Sequence, residues 1–232
     1  MRVRVGTSGF SYKEWKGSFY PEDLPASEML RFYAGRFSTV EINNTFYRMP
    51  KSETLAQWAE LVPDGFSFAL KAPQRITHIR RLKETGDSVD YFFRVASTLG
   101  DRFGPTLFQL PPNFKQDLSR LTDFLATLPP TARCAFEFRH ESWFQEPVYE
   151  ALRAARCALC LAEDESLATP RVATTAWGYL RLRRQDYGEE QLRDWASAIR
   201  AQPWEEAFVF FKHEEEGRGP ELAEQLAKTL RA

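Results

Sequence analysis

The stretch CAFEFR, at residues 134–139, decides the fold class because its alternate residues differ in chemical kind. Phe136 and Phe138 share one side of a predicted strand, whereas Glu137 and Arg139 share the other. An open parallel sheet with helices on both faces needs apolar residues on both sides of its strands. A closed barrel packs its apolar side against the helices and accepts polar side chains inside, near the active-site end. The alternation therefore favours a closed barrel over an open doubly wound sheet.

Seven other strand-like runs accompany this stretch, and those at residues 39–43 and 178–183 alternate in the same way. Strands that alternate with helical segments form parallel βαβ units, and eight is the strand number of a barrel. The predicted strands are Arg2–Gly6, Thr39–Asn43, Phe66–Lys71, Thr106–Leu110, Cys134–Arg139, Ala158–Ala162, Gly178–Arg183 and Ala207–Lys212.

Six amphipathic segments between these strands have the three-to-four spacing of helices that bury one face. No clear helix follows the sixth strand, where residues 163–176 contain Pro170. We therefore predict an α/β fold, a (β/α)₈ TIM barrel of one domain over residues 1–232, with an irregular or missing helix after strand 6. The predicted apolar faces begin at Leu55, Val89, Leu118, Val148, Leu192 and Leu222.

The composition is that of a folded protein without a membrane partner. Hydrophobic residues make up 43% of the chain, which suffices for a sizeable core. No run of 18 apolar residues occurs, and the first residues, MRVRVGTSGF, lack the apolar segment of a signal peptide. Three cysteines do not make a disulfide framework, and a net charge of -1 argues against a general nucleic-acid coat protein. We expect a cytoplasmic location.

Long connections follow the strands, whereas short ones return from the helices. Residues 7–26, 44–52 and 72–88 are long, and residues 201–206 are a short return. Long loops often carry function, and these all fall at the end where barrel enzymes keep their active sites. The acidic stretch HEEEG, at residues 213–217, is interpreted as a further loop on the same rim.

Glu41 and Glu137 are the candidates for catalysis, because each lies late in a predicted strand on the interior side. Each is followed two positions later by a polar residue, Asn43 or Arg139. Two carboxylates that face one pocket can act as general acid and base or as metal ligands. The alternative is that each is buried and paired with an interior cation.

Cations on the same interior side predict an anion site. Arginine binds phosphate or carboxylate with two nitrogens, and this end of a barrel often takes phosphate. The alternative is an internal ion-pair network of these cations with Glu41, Glu137 and Asp164. The candidate anion-binding residues, with two amides, are Lys71, Arg139, Arg181, Lys212, Asn43 and Gln109.

Aromatic residues are expected to wall the pocket. Tyr12 and Trp15 lie in the glycine-containing first loop, and Tyr47 and Trp143 each follow a candidate glutamate by six positions. Such rings can stack on a sugar or a base. For the first loop the alternative is a set of turn glycines beneath a packed aromatic loop.

Histidines and cysteines give no metal or redox motif. His78 lies in the basic stretch HIRRLKE, and His140 and His213 follow the fifth and eighth strands. A divalent metal would require them to converge with the interior carboxylates, so no cofactor is predicted. Cys157 and Cys160 form CxxC, but positions i and i+3 of a strand point to opposite faces, and we interpret both as core residues.

Four segments, GTSGFSYKEWKGSFYP, VEINNTFYRMP, FQLPPNF and EFRHESWF, resemble in sequence and order the motifs of the YecE-like family, also called the domain of unknown function 72. The resemblance implies a TIM barrel and no established reaction. Family members tend to end the eighth strand with an Asn pair, whereas this chain has Lys212 and His213. The motif positions carried onto this chain are Ser8, Gly9, Tyr12, Trp15, Glu41, Asn43, Asn44, Tyr47, Gln109, Pro111, Glu137, Arg139 and Trp143.

These features predict an enzyme of the hydrolase or lyase type that acts on a polar anionic ligand, sugar- or nucleotide-like, at the C-terminal ends of the strands. Glu41 and Glu137 would transfer protons. One alternative is a non-catalytic nucleic-acid-binding module built from the basic third loop, the first-loop aromatics and the interior arginines. Another is a metal-dependent phosphoesterase. The predicted binding residues are Ser8, Tyr12, Trp15, Asn43, Asn44, Tyr47, Lys71, Gln109, Arg139, Trp143, Arg181 and Lys212.

Overall fold

The computed structural model describes residues 1–213 and 217–231. The rim loop expected at residues 213–217 therefore lies largely outside the described residues. Eight strands form one parallel sheet. They are β1 (Arg2–Thr7), β2 (Thr39–Ile42), β3 (Ser67–Lys71), β4 (Phe103–Gln109), β5 (Cys134–Glu137), β6 (Ala158–Glu163), β7 (Trp177–Leu182) and β8 (Glu206–Phe211).

The two ends of this sheet meet, which makes it a nearly closed barrel. Its strand order is β1-β8-β7-β6-β5-β4-β3-β2, so β1 and β2 are the edges. Ser8 and Glu41 form a parallel bridge just beyond β1 and within β2. The amide of Gly9 donates to the carbonyl oxygen of Glu41 at 2.7 Å. The predicted (β/α)₈ TIM-barrel fold is confirmed.

Helices surround the barrel, and local chemistry fixes where they begin. The side chain of Asp117 caps the helix that begins at Leu118 by accepting from the amide of Arg120 at 3.1 Å, and Pro147 occupies the first turn of the helix that begins at Glu146. In residues 1–213 and 217–231 no helix combines the length and the apolar character that crossing a bilayer requires. The helices are α1 (Met29–Ala34), α2 (Ser52–Leu61), α3 (Gly86–Ala96), α4 (Leu118–Leu125), α5 (Glu146–Ala154), α6 (Glu189–Arg200) and α7 (Arg218–Arg231).

The segment between β6 and β7, residues 164–176, contains no helix, as predicted. It runs beside β6 and is held by threonine hydroxyls. The amide of Leu159 donates to Oγ1 of Thr174 at 2.8 Å, and the amide of Ala162 donates to Oγ1 of Thr169 at 3.2 Å. We call this segment the β6–β7 strap.

Two apolar cores lie on the two sides of the barrel wall, as the strand alternation predicts. Phe136 and Phe138 belong to the large outer core beneath the helices. Cys157 belongs to the outer core and Cys160 to the interior, so the two cysteines do point to opposite sides. Small residues on some strands leave room for aromatic rings on others. The interior core consists of Ala69, Leu107, Ala135, Ala158, Cys160, Ala162, Tyr179, Phe208 and Phe210.

Some strand ends differ from the predicted ones. β4 begins at Phe103, three residues early, because Phe103 pairs with Phe68 and a register shift before Leu70 takes up the extra length. β5 ends at Glu137 and β8 at Phe211, so Arg139 and Lys212 follow their strands rather than ending them. The other ends coincide with the predicted ones or differ by one residue.

We predict that Gly6→Ala destabilises the protein, because a Cβ at residue 6 would overlap the backbone carbonyl oxygen of Thr39 where β1 meets β2. Overpacking of this kind costs about 1–3 kcal/mol of unfolding free energy. Urea denaturation measures it. Gly86→Ala is the matched control, since nothing lies within 4 Å of that added Cβ at the start of α3. Equal unfolding free energies for the two variants would contradict the steric argument.

Candidate functional site

A buried ion-pair network spans the barrel interior. Arg181 on β7 lies between Glu41 on β2 and Glu137 on β5, and all three are 0–1% exposed. Nη2 of Arg181 donates to Oε1 of Glu41 at 2.9 Å, and Nη1 donates to Oε2 of Glu137 at 2.6 Å. The same guanidinium also donates to the side-chain oxygens of Gln109 at 3.2 Å and Asn43 at 3.5 Å. The inward orientation predicted for both glutamates is confirmed.

The Glu41 carboxylate is saturated with donors. Oγ of Ser8 donates to Oε1 at 2.7 Å, and the hydroxyl of Tyr179 donates to Oε2 at 2.6 Å. Burial alone would raise the pKa of Glu41, but the charge of Arg181 and the two hydroxyl donors outweigh it and hold the pKa below its ordinary value. Glu41 is therefore ionised at neutral pH.

The Glu137 carboxylate accepts from more than one arginine. Nε of Arg139 donates to Oε1 at 2.8 Å, and Nη2 of Arg183 lies 3.8 Å from the same oxygen. Burial raises the pKa of Glu137, but the charges of Arg181, Arg139 and Arg183 outweigh that effect and hold it well below the ordinary value. The proton transfer predicted for the two glutamates stays a prediction, and it requires them to exchange hydrogen-bond partners.

Cations surround the barrel mouth above this network. Nη2 of Arg183, just beyond β7, donates to Oδ2 of Asp164 at 2.6 Å, while its buried Nε has no partner within the described residues. Arg139 remains 24% exposed. Nζ of Lys71, at the end of β3, lies 4.2 Å from the ring centroid of Phe46. The mouth therefore combines arginine nitrogens with a lysine amine.

The structure corrects three predicted ligand contacts. Trp15 and Trp143 are 0% exposed and pack into the aromatic core, so neither walls a pocket. Trp143 stacks on Phe138 with ring centroids 4.7 Å apart and donates to the carbonyl oxygen of Phe114 at 2.7 Å. Arg181 does not reach solvent, because the two glutamates enclose it. For Arg181 the alternative of an internal ion-pair network is the correct one.

Other predicted residues line a cavity beside the mouth. This cavity of about 540 Å³ lies between the first loop, α1 and α2, and Tyr12, Asn43 and Asn44 are among its lining residues. Tyr47 is elsewhere, 73% exposed on the rim, and Lys212 is exposed just after β8. Of the residues that the structure describes, only Asn43 belongs both to this cavity and to the buried network.

Tyr179, Arg183, His78 and Phe46 were not among the predicted site residues. Strand alternation on β7 carried a signal for the first two, because both lie on the side of Arg181. His78 packs edge-on against Phe46 with ring centroids 4.8 Å apart. Burial and the charge of Lys71 lower the pKa of His78, so its imidazole is neutral at pH 7. No sequence pattern indicated that Phe46 lies beneath Lys71.

The other two histidines have partners away from the carboxylates. Nδ1 of His140 lies 2.9 Å from Oγ of Ser142, and Nε2 of His213 donates to the carbonyl oxygen of Arg184 at 2.6 Å. Among the residues that the structure describes, no three His, Cys, Asp or Glu side chains form a group that could hold a metal ion.

A family model described as protein of unknown function DUF72 matches residues 4–232. This chain belongs to the DUF72 family. The resemblance noted from the four sequence segments is therefore confirmed.

Solved DUF72 structures share the fold. A DUF72 protein from Thermotoga maritima MSB8 (TM1631) is 29% identical and superposes with a TM-score of 0.88 over all of both chains. One from Enterococcus faecalis V583 (EF0366) is 18% identical, with a TM-score of 0.81 over all of this chain and 98% of the other. The UPF0759 protein YunF of Bacillus subtilis (strain 168) is 29% identical over 160 residues, 64% of this chain. The match spans about half of YunF, 54% of its length.

We predict that Arg181→Met destabilises this DUF72 protein by about 3–5 kcal/mol, because it leaves two buried carboxylates without their shared cation. Arg153→Met is the control, since Arg153 forms an exposed ion pair with Glu146 on α5 and should cost under about 1 kcal/mol. Urea unfolding at pH 7 measures both. Adding Glu41→Gln to Arg181→Met should recover part of the loss. A cost of Arg181→Met similar to that of the control would refute the network.

Acid should weaken the protein through the same carboxylates. The pKa of Glu137 is lowered in the folded state, so its ion pairs stabilise the fold above the unfolded pKa, near 4.5. That contribution is lost progressively as the pH falls below about 4.5. The difference in urea midpoint between wild type and Glu137→Gln should therefore shrink between about pH 5 and pH 3. A difference that stays constant over this interval would contradict the assignment.

Proposed function

We propose that this protein is an enzyme of the hydrolase or lyase class that acts on a small, polar, anionic ligand, sugar- or nucleotide-like, at the C-terminal ends of the strands. The observation that carries the proposal is the charge of the mouth. Within residues 1–213 and 217–231, the mouth and the buried network beneath it place four cations, Lys71, Arg139, Arg181 and Arg183, beside three carboxylates, those of Glu41, Glu137 and Asp164. An anion would balance the excess.

The arginine nitrogens at the mouth support an anion site. Within residues 1–213 and 217–231, Arg139 makes one hydrogen bond, from Nε to Glu137, which leaves its terminal nitrogens free to donate. The unpartnered Nε of Arg183 is a buried donor that costs free energy until an acceptor reaches it. A phosphate or carboxylate between the two residues would satisfy both.

The cavity beside the mouth supports the polar part of the ligand. Its about 540 Å³ suits a small molecule. Asn43, Asn44 and Gln57 supply amides to hydroxyl groups, and Phe10 and Trp58 supply apolar faces. Since Asn43 also accepts from Arg181, a ligand in the cavity would extend towards the charged network.

Ligand binding offers a route by which Glu137 could act on a proton. An anion that draws Arg139 away would remove one of the charges that lower the pKa of Glu137. The carboxylate would then gain both an open acceptor position and a pKa closer to neutrality. In this scheme Glu41, which keeps Ser8, Tyr179 and Arg181, is mainly a positioning residue for Arg181.

Nucleic-acid binding is the second candidate, and an exposed cleft favours it. Tyr47, Arg75 and Arg80 line a cleft of about 410 Å³ together with the exposed Ile79. An exposed ring beside arginines can stack a base and bind phosphates. Two other features proposed for this role, Trp15 and Arg181, are buried.

Binding measurements separate these candidates. We expect glucose 6-phosphate, but not glucose, to raise the melting temperature. Arg139→Gln should weaken glucose 6-phosphate binding about tenfold or more, because a hydrogen bond between charged groups is lost. Arg153→Gln, on the far exposed face of α5, should bind like wild type.

A single-stranded oligothymidylate is the comparison ligand. If it binds and Tyr47→Ala abolishes that binding while sugar phosphates have no effect, the nucleic-acid role replaces the enzyme proposal. If neither phosphate nor carboxylate compounds bind wild type, the anion site is wrong.

A further inference from the structure

In residues 1–213 and 217–231, Lys71 differs from the arginines around it because none of the carboxylates described there pairs with it. The salt bridges of Glu41 and Glu137 go to Arg181, Arg139 and Arg183. Within the part of the chain that the structure describes, none reaches the Lys71 amine. Nζ lies instead over the ring of Phe46 at 4.2 Å. The amine is thus held in place by an aromatic face and not by an opposite charge.

Groups from four elements face Lys71 and set its protonation. They are Arg181 on β7, Glu41 on β2, Glu137 and Arg139 at the end of β5, and His78 in the loop after β3. Burial and the charge of Arg181 lower the pKa of Lys71 to about 8, although the two glutamates partly oppose this. About a quarter of the amine is then neutral at pH 7.5, against roughly 0.1% for an ordinary lysine.

The backbone of Lys71 is also fixed, so its side chain starts from one position, and the contact with Phe46 places the amine. Oγ1 of Thr45 donates to the carbonyl oxygen of Lys71 at 2.6 Å, and β3 pairs on both sides, with β2 and β4. A neutral, positioned amine beside cationic donors is the arrangement of a nucleophilic lysine.

We propose that Lys71 is a nucleophile that forms an imine with an aldehyde or ketone whose phosphate or carboxylate group is held by Arg139 and Arg183. The inference rests on the proposed function, and it narrows the ligand to a carbonyl compound and the reaction to lyase-type chemistry. An imine withdraws electrons from the neighbouring carbon and so eases the breaking of a bond to that carbon.

The step balances without an oxidant or reductant. The lone pair of Nζ attacks the carbonyl carbon, and the carbonyl π-electrons move to oxygen, which takes up a proton. That proton comes from Nζ, and the second Nζ proton passes to the same oxygen as the C–O bond breaks, so that one C=N bond forms and one water leaves. His78 is placed to carry these protons, because its imidazole is neutral and its Nδ1 is engaged with Oγ1 of Thr77 at 2.9 Å, which leaves Nε2 available.

Reductive trapping tests this inference. The purified protein is incubated with glyceraldehyde 3-phosphate and cyanoborohydride, and modified lysines are located by peptide mass spectrometry. A lower pKa gives Lys71 a larger neutral fraction, but it also makes each neutral amine less nucleophilic, as it does for thiolates. The two effects together should make Lys71 react about tenfold faster than an ordinary lysine. We expect Lys71 to be modified at pH 7.5 about tenfold faster than Lys83, which is exposed. The rate at Lys71 should rise with a midpoint near pH 8.

Variants and a neutral probe complete the design. Lys71→Arg keeps the charge and should abolish the rapid adduct, whereas Lys83→Arg should leave it unchanged. Glyceraldehyde, which lacks the phosphate, should react at least about tenfold more slowly at Lys71 in wild type, matching the lost anion contact. The wild-type comparison of Lys71 with Lys83 does not depend on how any variant folds.

The outcomes distinguish the two proposals. If sugar phosphates bind wild type but Lys71 is trapped no faster than Lys83, the imine is wrong and the anion site stands. If Lys71 is trapped rapidly and glyceraldehyde reacts as fast as its phosphate, the amine is a nucleophile but the anion site proposed above is overturned. If labelling of Lys71 rises only near pH 10, as for an ordinary lysine, the proposed nucleophilic role of Lys71 is wrong.

Discussion

One guanidinium between two carboxylates is the interaction on which the rest of this barrel depends. Arg181 bonds to Glu41 and Glu137 and so ties β7 to β2 and β5 through the interior. A buried charge without a partner would cost several kcal/mol, so each of the three requires the others. Strand closure is linked to the same group, because the backbone of Glu41 also bonds across to the end of β1.

The sequence predicted on which side of its strand each of these side chains lies, but not how deeply the side chain is buried. Alternation in CAFEFR placed Glu137 and Arg139 on the interior side, and their side chains do meet there in a hydrogen bond, with Arg139 at the mouth. Arg181 and Arg183 share one side of β7, yet Arg181 is 1% exposed whereas Arg183 reaches the mouth. How deeply a side chain is buried depends on the tilt of the strands and on the residues that enclose it. The local periodicity of the sequence predicts neither.

The burial of aromatic residues was equally hard to predict from the sequence. A tryptophan in a motif can line a ligand pocket or fill the core, and the sequence does not separate these cases. Trp143 fills the core because it stacks on Phe138 and donates to the carbonyl oxygen of Phe114, which lies in the loop after β4 and is distant in sequence. The barrel and the family are shown, but many reactions occur on barrels, so function must come from the mouth itself.

The β6–β7 strap has an electrostatic consequence for that mouth. A helix after a strand normally points its N-terminus, with its partial positive charge, at this end of a barrel. At the sixth position the strap supplies a turn in which Asp164 accepts from the amides of Ser166 and Leu167 at 2.9 and 3.0 Å. The ring of positive helix N-termini around the mouth is thus interrupted at β6 by a carboxylate. The attraction that these helices exert on anions is therefore uneven around the mouth. A negatively charged molecule would therefore meet the weakest attraction from helix dipoles on the side of β6.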